Sequence, residues 1–369
     1  MLLCIELGSR NKQITKDGQR YNMVGLDCGT AYFISARDGG IIKKQHDAFL
    51  TLPGDPKAIK RQLSRMKISY VELNNRVHII GKDAFEYAQI FGGEDLRRPM
   101  VSGLLNPKEK DALPILKTIM SELLGPPSKP GEVCVYCVPA TPIDVETLVD
   151  YHEDVLGQII ESLGYTPMVI KEAVALAYHG LVDDNLTGIS LSFGAGMCNA
   201  AVLFAGMDAI NFSVARSGNF IDENVARDTA TPKAKVQFIK ESGEVDLSSA
   251  KVSFDGGEAQ VKEYVPPTQV HAAIRSYYGV LINYILSNIA NQFNNAETMP
   301  SFPEPIPIVI GGGTAMVPGF INLFNEQLEK MNFPIPISEV RVVENTHEGV
   351  ALGCLNEAML EEEDSEPSV

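Results

Sequence analysis

Three short stretches of this chain set glycine at the end of an apolar run, beside groups able to handle phosphate. They read Asp27-Cys28-Gly29-Thr30-Ala31, Ser192-Phe193-Gly194-Ala195-Gly196-Met197 and Gly311-Gly312-Gly313-Thr314-Ala315-Met316. In the first, Gly29 lets the chain approach a ligand while the Thr30 hydroxyl and neighbouring amides point at it, a nest suited to phosphate. Asp27 is placed to hold a hydrated Mg²⁺. A tight hairpin turn explains any one of these strings equally well. Three in one chain are hard to explain as coincident hairpins. The triple glycine is the strongest of them, because no packing reason demands three in a row and Pro318 is expected to open the helix that follows. Neither a Walker A string nor a dinucleotide fingerprint is present.

The elements that position these turns follow from periodicity. Residues 23–39 read as strand, glycine turn, strand, and 188–206 repeats that pattern. Between them, "GEVCVYCV" is a strand followed by a long helix, with Thr141 as N-cap, Pro142 at the first helical position and Asp144 completing a capping-box spacing. "PMVIKEAVALAYHGLV" is again strand into helix. Along 271–293, Ile274, Tyr278, Leu281, Ile282, Ile285 and Ile289 share one helical stripe. The two hairpins form a weak internal repeat, which implies two related α/β halves facing each other across a cleft.

Composition narrows the function classes. A chain of 369 residues exceeds what one hydrophobic core usually organises. With 31 Lys and Arg against 47 Asp and Glu, the net charge of −16 argues against nucleic acid or anionic lipid as a partner. The basic run at 59–67 reads as a solvated helix face. "MLLCIELGS" has no basic leader region, and no stretch reaches the ~18 apolar residues a membrane span needs, so a cytoplasmic location is expected. Six cysteines are too few for a disulfide framework. Cys134 and Cys137 fall on opposite faces of their strand, and the six histidines show no metal-binding or triad spacing.

In order along the chain, Asp27-x-Gly29-Thr30, Glu172 at a helix start, Gly194-Ala195-Gly196, "SGNFID" at 217–222 and Gly311 to Thr314 resemble the actin-like ATPase superfamily of actin, the seventy-kilodalton heat-shock chaperones and sugar kinases. Bacterial actins of the MreB and MamK kind are most similar, and "IIGKDAFEYAQ" and "RRPMVSGLL" resemble segments of their small subdomain. The resemblance spans about residues 22 to 360. It implies an α/β fold of two actin-like (ribonuclease-H-like) domains around a nucleotide cleft, each with a smaller inserted subdomain. Domain I would be 22–164 plus a C-terminal helix 346–360, with its insertion at 51–99. Domain II would be 165–345, with its insertion at 219–270. Residues 1–21 would form an N-terminal extension and 361–369 a disordered acidic tail.

The resemblance also implies roles. Asp27, Cys28, Gly29, Thr30 and Ala31 would form the first phosphate loop, with Asp27 reaching Mg²⁺ through water. Ser192, Gly194, Ala195, Gly196 and Met197 would form the second. Glu172 would position the attacking water. Gly218 would lie by the ribose, with Asn219 also among the nucleotide-binding residues, Lys235 on the helix that contacts the base, and Gly311, Gly312, Gly313, Thr314 and Met316 under the adenine and α-phosphate. The residues alone allow plainer readings: Glu172 complements a helix dipole, and Asn219 and Asp222 cap a helix.

One departure touches the chemistry. Where the family places Asp at the start of the second loop, this chain has Ser192, and "MCN" replaces Thr-Thr and an acid. A carboxylate about 5 Å from a divalent ion at an effective dielectric near 20 is worth ~6 kcal/mol, so turnover is expected to be slow while the glycine amides still bind. The function implied is a cytoskeletal actin-like protein that binds ATP or ADP with Mg²⁺ and self-associates into filaments, any adaptor being unspecified. The alternatives are a non-polymerising nucleotide-binding adaptor and a small-molecule kinase of the same superfamily, for which no general base is evident.

Overall fold

A computed structural model describes residues 23–90, 96–147, 149–248, 250–255, 258–263, 266–296 and 302–365. The expected extension at 1–21 lies outside them. Strands β1 (Val24–Cys28), β2 (Tyr32–Arg37) and β3 (Ile41–His46) form an antiparallel meander. An inserted unit follows: β4 (Phe49–Leu52), α1 (Pro56–Met66), β5 (Tyr70–Leu73), β6 (Arg76–Ile80) and α2 (Gly81–Ile90), with its strands in the order β4-β6-β5. Asp55 caps α1, whose basic run is largely exposed as expected. The small hairpin β7 (Met100–Val101) and β8 (Leu104–Leu105) leads to α3 (Ala112–Leu124), β9 (Val133–Val138), α4 (Val149–Ser162), β10 (Thr166–Lys171) and α5 (Glu172–Gly180). The first large sheet runs β10-β9-β1-β2-β3.

Two expectations change here. The expected domain boundary at 165 puts β10 in domain II, yet it pairs in parallel with β9 in the first sheet, because a β9–α4–β10 crossover of this length returns the chain beside its own strand. The long helix starts at Val149 rather than at Pro142. Pro142 forms a bridge with Ser213, Ile143 N–H donates to the Ser213 carbonyl, and the Asp144 carboxylate accepts from Ala215 N–H, so tertiary pairing outcompetes the local capping signal.

The chain then repeats the meander: β11 (Gly188–Phe193), β12 (Cys198–Phe204) and β13 (Met207–Val214). After α6 (Gly218–Thr229), α7 (Lys233–Glu241) and the hairpin β14 (Ala250–Asp255) with β15 (Glu258–Glu263), the long α8 (Gln269–Asn295) returns to the sheet. All six residues of its predicted stripe are buried. β16 (Ile306–Gly311), α9 (Phe320–Glu329) and β17 (Ile337–Val342) complete a second sheet in the order β13-β12-β11-β16-β17. α9 begins two residues after Pro318, behind Gly319. The last helix, α10 (Gly349–Ser365), runs past the expected start of the acidic tail at 361.

Strand alternation sorts side chains into layers. Val24, Leu26 and Cys28 of β1 pack with α3 and α4 on the outer face of the first sheet, as Cys134 and Tyr136 do. Cys137 faces the other way, so the two thiols sit on opposite faces as expected. The inner layer, between the sheets, contains α5 and α10. Ile189, Leu191 and Phe193 of β11 face α8 and α9 on the far side. Helices α5 and α10 cross so closely that a Cβ on Gly353 would stand 1.6 Å from the Ala175 carbonyl oxygen.

Candidate functional site

The same alternation aims the site. If Leu26 and Leu191 face outward, then Asp27 and Ser192 must face the layer between the sheets, where α5 begins with Glu172. The Ser192 hydroxyl donates to Glu172 Oε1 at 2.7 Å. Asn199 sits directly across from Ser192 in the β11–β12 register, on the same side. It steadies the charged form of Glu172 to a small degree without a full hydrogen bond, and both its amide atoms are buried without partners. The Cys137 thiol donates to Asp27 Oδ1 at 3.4 Å.

Both carboxyls keep a strip of solvent exposure at the cleft floor, but the protein packed around them sets their chemistry. Desolvation raises Asp27 to about 7, against a smaller lowering by the Cys137 hydrogen bond. Desolvation and then the Asp27 charge raise Glu172 to about 8, opposed by Ser192 and Asn199. The pair therefore retains protons near neutrality and would lose them to a cation.

Above this floor lies a cavity of about 400 Å³ between the sheets. Of the residues expected at the site, Asp27, Cys28, Gly29, Thr30, Ala31, Glu172, Ser192, Gly194, Ala195, Gly196, Met197, Asn219, Gly312, Gly313, Thr314 and Met316 all line it. Gly218, Gly311 and Lys235 do not. Lys235 is exposed on α7, and Lys240 and Glu241, more than one turn further on, line the cavity instead. Lys240 Nζ lies 2.8 Å from both Asp222 carboxylate oxygens and donates to the Gly218 carbonyl at 3.2 Å, all of it buried. Asp222 is thus an ion-pair partner rather than a helix cap.

The turns brace one another. The Gly194 carbonyl accepts from Ser217 Oγ at 2.6 Å, Thr314 Oγ1 at 2.8 Å and Gly218 N–H at 3.2 Å, and Ala195 accepts from Asn219 N–H at 2.8 Å. Gly218 and Thr314 therefore shape the second turn. The triple glycine does have packing reasons: a Cβ on Gly311 would meet Leu176 at 2.6 Å, and one on Gly312, at φ +91°, would meet the Phe193 carbonyl oxygen at 2.4 Å. Of the three, only Gly313 has room: a Cβ there would stand 3.6 Å from His347 Nε2, an ordinary contact. From the β7–β8 hairpin, Gly103 N–H donates to Thr30 Oγ1 at 2.7 Å, and Leu104, Val149 and Met197 cluster, closing the turns against each other.

Sequence reasoning missed several lining groups. Tyr32, Lys44, His46, Phe85, Arg98 and His347 form one wall. Lys44 Nζ donates to His347 Nε2 at 2.9 Å and lies 3.8 Å over the Tyr32 ring, while His46 stacks on Phe85 with centroids 4.4 Å apart. Desolvation and nearby cations hold His46 down to about 4. These residues come from β2, β3, α2 and two loops, and although Phe85 and Arg98 lie in segments that resemble the family, no local pattern marks any of the six as lining a site. A second hollow, about 570 Å³ along α8 and α9, is open and contains none of the expected residues.

Two sheets of this order, each led by a meander whose turn meets the other in one cleft, make an actin-like fold. Solved structures agree on the fold. A MamK double helical filament aligns at TM-score 0.68 and 17% identity, over 91% of this chain and 98% of that one. MreB5 of Spiroplasma citri bound to ADP aligns at 0.61 and 14%, over 93% and 98%. MreB5 bound to AMPPNP aligns at 0.63 and 12%, over 93% and 97%. The chain belongs to the Volactin family, whose model matches residues 23–358. No curated protein matches it.

Proposed function

We propose that this chain binds ATP or ADP with Mg²⁺ in the cleft, hydrolyses ATP slowly and assembles with copies of itself into filaments. The observation that carries the reading is the convergence of turns from β1, β11 and β16 on one cavity with Asp27 and Glu172 at its floor. Backbone amides at such turns are anion ligands that any phosphate chain satisfies. MamK forms a filament and MreB5 was solved with ADP and with AMPPNP, and the shared fold supports the same use here.

The floor fits a hard divalent cation. Mg²⁺ needs one or two carboxylates beside phosphate oxygens and water, and Asp27 with Glu172 is a crowded carboxyl pair that a cation would relieve. Asp27 would hold it, through water; bound there, Mg²⁺ would offset charge on the phosphates. Glu172 takes the proton of the attacking water or orients it, with its carboxyl aimed by Ser192. Because Ser192 offers a hydroxyl where a carboxylate would strengthen the electrostatics, hydrolysis is slow.

We assign β1 to α5 with α10 to one domain and β11 to β17 to the other, with insertions at 51–99 and 219–270. Among the described residues no helix is long and apolar enough to cross a membrane, and we place the protein in the cytoplasm. A second reading, a nucleotide-binding adaptor that does not polymerise, draws on Met197 and Asn199 in the second loop. Sedimentation and electron microscopy with ATP, with ADP and without nucleotide test the first reading. Filaments that depend on nucleotide support it; a chain that binds nucleotide yet stays monomeric in every condition supports the second.

A further inference from the structure

Two arginines stand side by side where the chain returns from the inserted unit to β7, and they are used differently. Arg97 is fully committed: Nε donates to Glu109 Oε2 at 2.8 Å, Nη2 pairs with Glu109 Oε1 and with Asp111 Oδ2, Nη1 donates to Thr51 Oγ1 at 2.9 Å, and the group lies 4.5 Å over the Phe49 ring. Arg98 is half-buried and lines the cleft. Its guanidinium makes one hydrogen bond among the described residues, from Nη1 to the Thr30 carbonyl at 3.1 Å, and no carboxylate there lies within ion-pairing distance. The acid whose charge it feels, Asp47, is buried, accepts from Met100 N–H, and is held well above the usual carboxylate range by desolvation.

A guanidinium carries five N–H donors and keeps its charge at all ordinary pH. Here most of those donors are uncommitted, on a group partly removed from water at the rim of the first glycine turn. Such a placement is costly unless an anion arrives to share it. The placement is also rigid. Asn106 Nδ2 donates to the Arg98 carbonyl at 3.2 Å, and Thr30 is held at its carbonyl by Arg98 and at its hydroxyl by Gly103 N–H, both from the same returning segment. One nitrogen of the planar fork is therefore tied to the loop that would cradle phosphate, and the donors that remain are the kind that bind phosphate oxygens in pairs.

We propose that Arg98 is a phosphate ligand of this cleft, binding oxygens of the β- or terminal phosphate of a nucleoside di- or triphosphate. The proposal rests on the nucleotide reading above. It adds a cation supplied by the protein, so part of the charge on the polyphosphate is offset without Mg²⁺.

Calorimetric titration of the full chain with ATP, ADP and AMP, in Mg²⁺ and in chelator, tests it on wild type, Arg98→Gln and Arg98→Lys. Loss of a charge-assisted hydrogen-bond pair should weaken ATP and ADP by about tenfold or more in both buffers, with AMP changed less than about twofold and Arg98→Lys intermediate. Unchanged ATP and ADP affinity in Arg98→Gln, or an equal loss for AMP, overturns it. A measurement on wild type needs no variant to fold: phenylglyoxal modification of Arg98, followed by peptide mass spectrometry, should slow in ATP and not in adenosine. An unaltered rate at saturating ATP overturns the proposal. Wild type that takes up none of the three nucleotides overturns the nucleotide reading itself, before any variant is compared.

Discussion

The Ser192 hydroxyl donates to Glu172 Oε1 at 2.7 Å, so a serine in the second glycine turn sets the orientation of the carboxyl that opens α5. A carboxylate at the same position would instead face two carboxyls that burial already holds above their ordinary range. Ser192→Asp should therefore bind Mg²⁺ more tightly and hydrolyse ATP faster by about tenfold or more, given that ~1.4 kcal/mol in the barrier is tenfold in rate. Steady-state phosphate release compares the two. Fast hydrolysis by wild type that the substitution leaves alone or impairs contradicts the role given to Ser192.

Stability should depend on pH in a window set by this pair. Asp27 at about 7 and Glu172 at about 8 bind protons in the folded state that the unfolded chain, with ordinary carboxyls near 4, has already lost. Their contribution is complete at low pH and disappears as pH rises through 7 and 8. His46 and His152, both held near 4, act with the opposite sign, but only below about 6.5. Between pH 6.5 and 8.5 the ligand-free melting temperature should fall, and Glu172→Gln should reduce the slope. A melting temperature that rises across this window contradicts the assignment.

The buried Lys240–Asp222 pair ties α7 to α6 within the cleft wall. Lys240→Met leaves a buried carboxyl without its partner and should cost about 3–5 kcal/mol in urea unfolding. Adding Asp222→Asn should recover a large part of that loss. A double variant no better than the single one would show that Lys240 acts by packing alone.

Gly353→Ala should be among the most destabilising single changes outside the cleft. The added methyl has no room between α5 and α10, and forced separation costs about 3 kcal/mol or more. Chemical denaturation of the variant measures it, and a loss under about 1 kcal/mol would mean the two helices part easily.

Much of this was legible because strand alternation and glycine turns are local signals. The two hairpins β1–β2 and β11–β12, the buried stripe of α8 and the three turns are legible directly in the sequence, whereas the third strand of each meander, β3 and β13, is not. What failed was local evidence overruled by distant partners. Thr141, Pro142 and Asp144 spell a helix start, yet these residues stitch to Ser213 and Ala215 across the molecule. The triple glycine reads as a ligand signal at all three positions, whereas packing against Leu176 and Phe193 dictates two of the three. Lys235 and Lys240 sit on one short helix, and only its packing against α6 decides which enters the cleft. Arg98 lies in "RRPMVSGLL", a segment that resembles the family without assigning any residue in it a role; its role emerges from what Arg97, one residue away, has already taken.

The central claim is that turns from both sheets hold one polyphosphate. Isothermal titration of the full chain with ATP in Mg²⁺ tests it most directly, beside Gly194→Asp, which sets a negative charge in the second turn. The account predicts saturable uptake of one nucleotide per chain, lost in the variant. Saturable binding that Gly194→Asp leaves intact, or no uptake by wild type, would contradict it.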